Sequence, residues 1–172
     1  MWKIALLPFV FQALVMVFDE FYFHVRRGLP KWERIGHPLD TLTVLACMAF
    51  VLFVPFSKTA LLIYVAMAVF SSLFVTKDEF VHKHHCPASE QWLHALLFTL
   101  HPITLCSAGF MWPVAGGTSV PPWIASFFDN PAMLHQFLSV QLCAMSLFFC
   151  YQVIYWNFVY VPMGEFDYEN HQ

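Results

Sequence analysis

The sequence predicts an all-α integral membrane protein, a helical bundle of five transmembrane helices that includes a duplicated helix pair. Three observations carry the membrane part of that prediction. The chain of 172 residues is 59% hydrophobic and 11% charged, against about 45–50% and about 25% in soluble domains. Its polar side chains are too few to cover a water-soluble globule. Five apolar stretches each have about the 20-residue length that crosses a hydrocarbon core. All six Trp (Trp2, Trp32, Trp92, Trp112, Trp123 and Trp156) lie near the ends of these stretches, where an amphipathic indole suits the headgroup level. The net charge of −3 excludes a nucleic-acid binder, which needs a cationic face for phosphate. The 20 Phe exclude a disordered chain, which is poor in aromatics.

The expected spans run, in order, from Ile4 to Phe23, Pro38 to Phe56, Thr59 to Val75, Trp92 to Trp112 and Met133 to Val161. Pro8 stands near the start of the first, where proline is tolerated. That first stretch carries only Lys3 before it, shows no small-residue cleavage site and runs into Asp19-Glu20. It is therefore expected to be a retained helix rather than a cleaved signal. A tight turn at Pro55–Lys58 joins spans two and three, and a loop with Gly116, Gly117, Pro121 and Pro122 joins four and five. The whole is one transmembrane domain: repeat 1 over about 4–56, repeat 2 over about 59–112, a fifth helix over about 133–161 and a short tail, 162–172. Four of the five Cys (Cys47, Cys106, Cys143 and Cys150) fall within apolar stretches. There a buried thiol behaves as a small hydrophobe.

Lys and Arg set the orientation. Arg26, Arg27, Lys31 and Arg34 lie between spans one and two, and Lys77 and Lys83 between three and four; the opposite side has only Lys3 and Lys58. The positive-inside rule then puts both basic loops and the C-terminal tail in the cytoplasm, with the N-terminus outside. A bacterial inner membrane is the expected location.

One pattern occurs twice. Asp19-Glu20-Phe21 and His24 end span one, and after Gly28-Leu29-Pro30 come Glu33 and His37. Asp78-Glu79-Phe80 and His82 end span three, and after Cys86-Pro87 come Glu90 and His94. This predicts duplication of a helix pair. Four acid/His pairs have one spacing: Glu20/His24, Glu33/His37, Asp78/His82 and Glu90/His94. Residues four apart share a helix face, so each pair can hold one metal or one proton network. Chance placement of the acids and His gives fewer than one such pair. Charge kept inside a membrane usually faces the bundle interior, and carboxylate with imidazole suits iron, manganese or zinc.

The eight residues are expected to converge on the cytoplasmic side as ligands of two metal ions, iron being favoured over manganese and zinc. The logic is similar to that of ferritin-type di-iron bundles, where two helices give a Glu and two give Glu-x-x-His. Here the spacing is Glu-x-x-x-His, so the likeness is one of chemistry. Asp40 and His101, each seven residues beyond a motif histidine or glutamate, are expected to extend the site inward as catalytic residues. Two other readings stay open. Glu33 and Glu90 suit helix N-termini as caps, and Arg26, Arg27 and Lys83 can pair with the acids. His101 can also be a capped kink before Pro102. His82, His84, His85 and Cys86 crowd one loop, and Gln136, Gln141, Gln152 and Asn157 in span five suit interhelical hydrogen bonds.

The expected function is oxygen-dependent oxidation of a lipid-soluble substrate by a membrane metalloprotein, with the bilayer as its environment and a cytoplasmic electron donor docking on the basic loops. The alternatives are a zinc-dependent membrane lipid hydrolase, and a non-enzymatic haem or metal carrier or transporter. No phosphate-binding Gly-rich loop, Ser-based elbow or His-Glu-x-x-His occurs.

Orientation has a direct test. Single cysteines placed in the 26–34 and 77–83 loops should react with a membrane-impermeant maleimide only after the cytoplasmic face is opened. Reaction of both from the outer face would invert the topology.

Overall fold

Helix runs through nearly all of the described residues. The computed structural model describes residues 2–80 and 86–160, the Asp78 side chain excepted, and among them there is no strand. Five helices are long and apolar enough to cross a membrane: α1 (Trp2–Arg27), α2 (Lys31–Phe53), α3 (Lys58–Lys77), α4 (Ala88–Ala115) and α6 (Pro131–Val159). The short α5 (Pro122–Phe127) occupies the loop between α4 and α6.

The five spans lie where hydropathy predicts them, but α2 and α4 begin well before Pro38 and Trp92. Pro30 and Pro87 stand at their N-caps with extended backbone, and proline's fixed φ suits entry into a helix while its missing N–H costs nothing there. The charged first turns are helical although they lower the local hydropathy. Ser57 caps α3 by accepting from the Ala60 amide at 3.1 Å, and Asn130 caps α6 by accepting from Met133 at 3.0 Å. Between α1 and α2, Gly28 takes a positive φ of 76°, and a Cβ there would collide with Tyr160 Oη. The Tyr160 ring tip could shift, but a φ of 76° with ψ of 157° is a conformation that only glycine adopts without strain.

α1 packs on α4, α2 on α3 and on α6, and α4 also on α3 and α6. An apolar core joins Phe9, Met48, Tyr64, Leu105, Trp112 and Leu138. Trp112 Nε1 donates to the Val54 carbonyl at 2.9 Å, closing the end of α2, and Tyr64 Oη donates to the Leu105 carbonyl at 2.6 Å. A Cβ on Gly109 would stand 3.0 Å from the Tyr64 ring, so the missing side chain lets α3 approach α4. The outer faces carry Leu14, Leu62, Leu73, Phe110 and Leu147, all exposed, while Gln12, Asp19, Glu20, His24, Glu33, Glu90 and His94 are buried. Polarity is therefore turned inward, the reverse of what a chain dissolved in water adopts.

Leu138 is fully buried and Leu147, on the same helix, is 68% exposed. Leu138→Ala should destabilise the bundle by about 2–5 kcal/mol through the cavity it leaves, and Leu147→Ala by far less. Thermal unfolding in one detergent compares the two, and equal losses would contradict this packing of α6.

Candidate metal centre

The end of α1 is not a regular α-helix. Asp19–His24 forms a π turn, a wider loop of chain found mostly as single turns at functional sites. In an α-helix only one of Asp19 and Glu20 would share a face with His24. The wider turn brings both. Asp19 Oδ2 lies 3.2 Å from His24 Nε2, and Glu20 Oε2 lies 3.2 Å from His24 Nδ1.

α4 brings the second half of the group. His94 Nε2 is 3.2 Å from Asp19 Oδ2, and Glu90 Oε1 is 3.6 Å from His24 Nε2. Asp19, His24, Glu90 and His94 are all buried, and each offers a donor atom within 4.8 Å of the others. An ion held at about 2.0–2.2 Å from its ligands needs donors only slightly closer than these. Asp19 Oδ1, His24 Nε2 and Glu90 Oε2 have no hydrogen-bond partner among the described residues. Buried polar atoms are normally satisfied, so a cation at this point would meet demands the chain leaves open.

A second group, His24, Glu33 and His37, meets the same distance limit. His37 stacks on His24 with ring centroids 4.8 Å apart, and its Nε2 lies 3.9 Å from Glu33 Oε2. The two groups share His24. Its Nδ1 is engaged by Glu20, so Nε2 alone is open, and it can serve one ion at a time.

Glu20 has a different part. Its Oε1 accepts from Tyr151 Oη at 2.9 Å and from Trp156 Nε1 at 2.7 Å, while Oε2 faces His24. A carboxylate so placed orients a metal-binding imidazole and fixes its tautomer. Neither Asp19 nor Glu20 meets a Lys or Arg among the described residues; imidazoles and neutral donors surround them. Glu33 and Glu90 instead share one guanidinium. Arg27 Nη2 donates to Glu33 Oε2 at 2.8 Å and to Glu90 Oε1 at 2.7 Å. Glu33 and Glu90 are thus tied together, and the ion pairs fall on side chains that also belong to the two candidate metal-binding groups.

A partly open cavity of about 110 Å³ adjoins the cluster. Asp19, Glu20, His24, His37 and His94 line it with Met16, Leu97, Phe98, Met145 and Phe148. Asp40 lines it too, but its carboxylate pairs with Lys77 Nζ at 2.6 Å. His101 lies deeper, between Ser71 at 2.9 Å and Gln12 at 3.5 Å.

Of the sequence-predicted ligands, Glu20, His24, Glu33, His37, Glu90 and His94 come together. The Asp78 side chain and His82 lie outside the described residues. Asp19 is the candidate donor that spacing four did not find; the doubled acid, Asp-Glu in both motifs, was its only trace. Cys86 is buried, and burial pushes its thiol up to about 12, so it is protonated and a poor redox handle at neutral pH. No protein-family model, curated protein or solved structure matches the chain.

Arg27→Met leaves Glu33 and Glu90 without their shared guanidinium, and breaking a buried pair on one side costs about 3–5 kcal/mol. Adding Glu33→Gln should restore part of that loss. Unfolding midpoints of wild type, single and double variants test the coupling, and strictly additive losses would contradict it.

Proposed function

We propose that this protein is a membrane metalloenzyme that carries two transition-metal ions, iron favoured, and oxidises a lipid-soluble substrate with oxygen. The observation that supports this most is the buried group Asp19, His24, Glu90 and His94 at the edge of a cavity walled by Met and Phe side chains. Two imidazoles and two carboxylates are the donor set of non-haem iron and manganese sites. The apolar wall suits a substrate delivered from the bilayer rather than from water.

The first ion takes Asp19, His24, Glu90 and His94. The second takes Glu33 and His37, with Asp78 and His82, the counterparts of Asp19 and His24 in the repeat, completing it. The sharing of His24 between two ligand groups supports this division, because a second ion needs donors beyond that one nitrogen. The exchange of partners also supports duplication: α1 packs on α4 as α3 packs on α2, and Arg27 joins the equivalent Glu33 and Glu90. Oxygen-dependent chemistry needs reducing equivalents, for which Arg26, Lys31 and Arg34 offer a basic docking face on the cytoplasmic side of the inner membrane. Glu20, held by Tyr151 and Trp156, keeps His24 aimed at the first ion.

Metal content per folded chain decides the matter. Wild type from iron-supplemented growth should hold two equivalents, and His37→Ala, Asp19→Asn and His94→Ala about one each, because each removes a donor from one ion only. Loss of a side chain that binds the ion should exceed the roughly 10–100-fold cost typical of the residues that support it. Glu165→Ala in the tail should change nothing. Less than one equivalent in wild type would sink the metalloenzyme reading, and zinc alone would turn it towards a hydrolase.

A further inference from the structure

The pairing of α3 with α4 leaves a space that no side chain fills. Leu61, Val65 and Ala68 of α3 and Cys106, Gly109 and Pro113 of α4 line one groove, and their spacing keeps each set on one side of its helix. Tyr64 and Leu105, both buried, form its floor, where Tyr64 Oη donates to the Leu105 carbonyl at 2.6 Å. Above that floor Ala68 offers only a methyl and Gly109 no side chain, while Val69 and Phe110 stand exposed as rims. The groove encloses about 540 Å³. No charged side chain lines it, and Tyr64 spends its hydroxyl on the Leu105 carbonyl. The walls therefore offer carbon and little else.

Size and charge narrow the occupant. The lining runs from Leu61 to Leu73 on α3, about 18 Å of helix rise, against about 15 Å for one leaflet's half of a hydrocarbon core. A cavity of about 150 Å³ takes the six carbons of benzene. By that measure 540 Å³ has room for an acyl chain of about 16–18 carbons. Left empty, the groove would forfeit dispersion contacts along both walls. A second copy related by a two-fold axis here would set groove against groove and leave the space unfilled. The end away from the cluster, where Phe56 and Ile124 join the lining, carries a charge. Lys58 begins α3, three residues before Leu61 and so on the same side of the helix. It is exposed and has no ion pair or hydrogen bond among the described residues. The N-terminus of α3 adds a partial positive charge of its own.

We propose that the groove between α3 and α4 is a phospholipid site, holding one acyl chain of an anionic lipid from the leaflet away from the cluster, with the phosphate on Lys58. The site is separate from the metal centre and needs no metal. The chain supplies fit rather than selectivity: lipid tails are as apolar as the groove, so a tail that moves from bilayer to protein escapes no water. Selectivity comes from Lys58. One Lys beside an anionic headgroup favours it about fivefold over a neutral one.

Phosphatidylglycerol and phosphatidylcholine that carry the same diazirine-tagged acyl chain test this. Each is added in trace to phosphatidylcholine nanodiscs holding the full chain, chelator-treated, and the peptides cross-linked by light are mapped by mass spectrometry. Phosphatidylglycerol should mark mainly 61–73 and 102–113, about fivefold more than phosphatidylcholine does. Lys58→Ala should bring the two lipids to equal yield with the marks still in the groove. Ala68→Phe, which puts a ring into the groove, should remove the concentration of marks there for both lipids. Marks spread evenly over the exposed faces, Leu14 on α1 and Leu147 on α6 included, overturn the proposal. So does equal yield of the two lipids on wild type, or a ratio that Lys58→Ala leaves unchanged. Palmitate with the same tag marking the groove as strongly as phosphatidylglycerol would assign it to a fatty acid and overturn the phospholipid. The map on wild type decides even if Ala68→Phe does not fold.

Discussion

Every charge kept inside an apolar bundle has to be met inside it, and the arrangement of this protein follows from how that is done. Four carboxylates, Asp19, Glu20, Glu33 and Glu90, are buried at the ends of three helices. Arg27 meets two of them through one nitrogen. Its position just after the π turn of α1 and its planar, permanently charged head let it hold the first turns of α2 and α4 together. The level at which α2 and α4 start is thereby coupled to the end of α1. The remaining two acids meet imidazoles and neutral donors, which is the softer compensation and the one a cation can replace.

The polar end and the apolar end of the bundle hold it by different means. Around Trp112, Tyr64 and Leu105, contact area dominates, and single hydrogen bonds to the Val54 and Leu105 carbonyls tie the helices. Around His24, directed bonds dominate. α6 serves both: Leu134 and Leu138 fill the core, and Gln152 accepts from Thr41 at 2.7 Å, while Tyr151 and Trp156 hold Glu20. Its remaining surface is largely exposed and apolar, so its buried side chains form a narrow stripe rather than a broad face.

Bulk properties were legible in the sequence and long-range ones were not. The five spans could be read because apolarity sums over some twenty residues, and errors at single positions cancel. The starts of α2 and α4 could not, because Lys31, Glu33 and Glu90 depress the local hydropathy that Pro30 and Pro87 override. Within the site, Glu20/His24 and Glu33/His37 were visible because an i,i+4 contact is written in spacing alone. Asp19 was not, since a π turn leaves no hydropathy signature. Nor was the use of Arg27 on Glu90, 63 positions away, or of Lys77 on Asp40, 37 away. Such pairs depend on where helices cross, and periodicity carries no information about that. His101 was placed at the right depth by counting turns from His94, but its partners Ser71 and Gln12 come from two other helices.

The π turn of α1 also keeps one register across an extra residue. Upstream of it, Phe9 and Gln12 face inward; downstream, His24 does. A regular α-helix turns about 100° per residue, so one residue added to a plain helix would rotate everything before it by about that angle relative to everything after it, and either Phe9 and Gln12 or His24 would swing out of the bundle. The wider turn takes up the extra residue locally, and both flanks stay turned to the interior. Deleting Phe21, Tyr22 or Phe23 would therefore let the turn close to an ordinary one with the contacts of α1 to α4 upstream still in place, and the change would fall on the polar end alone.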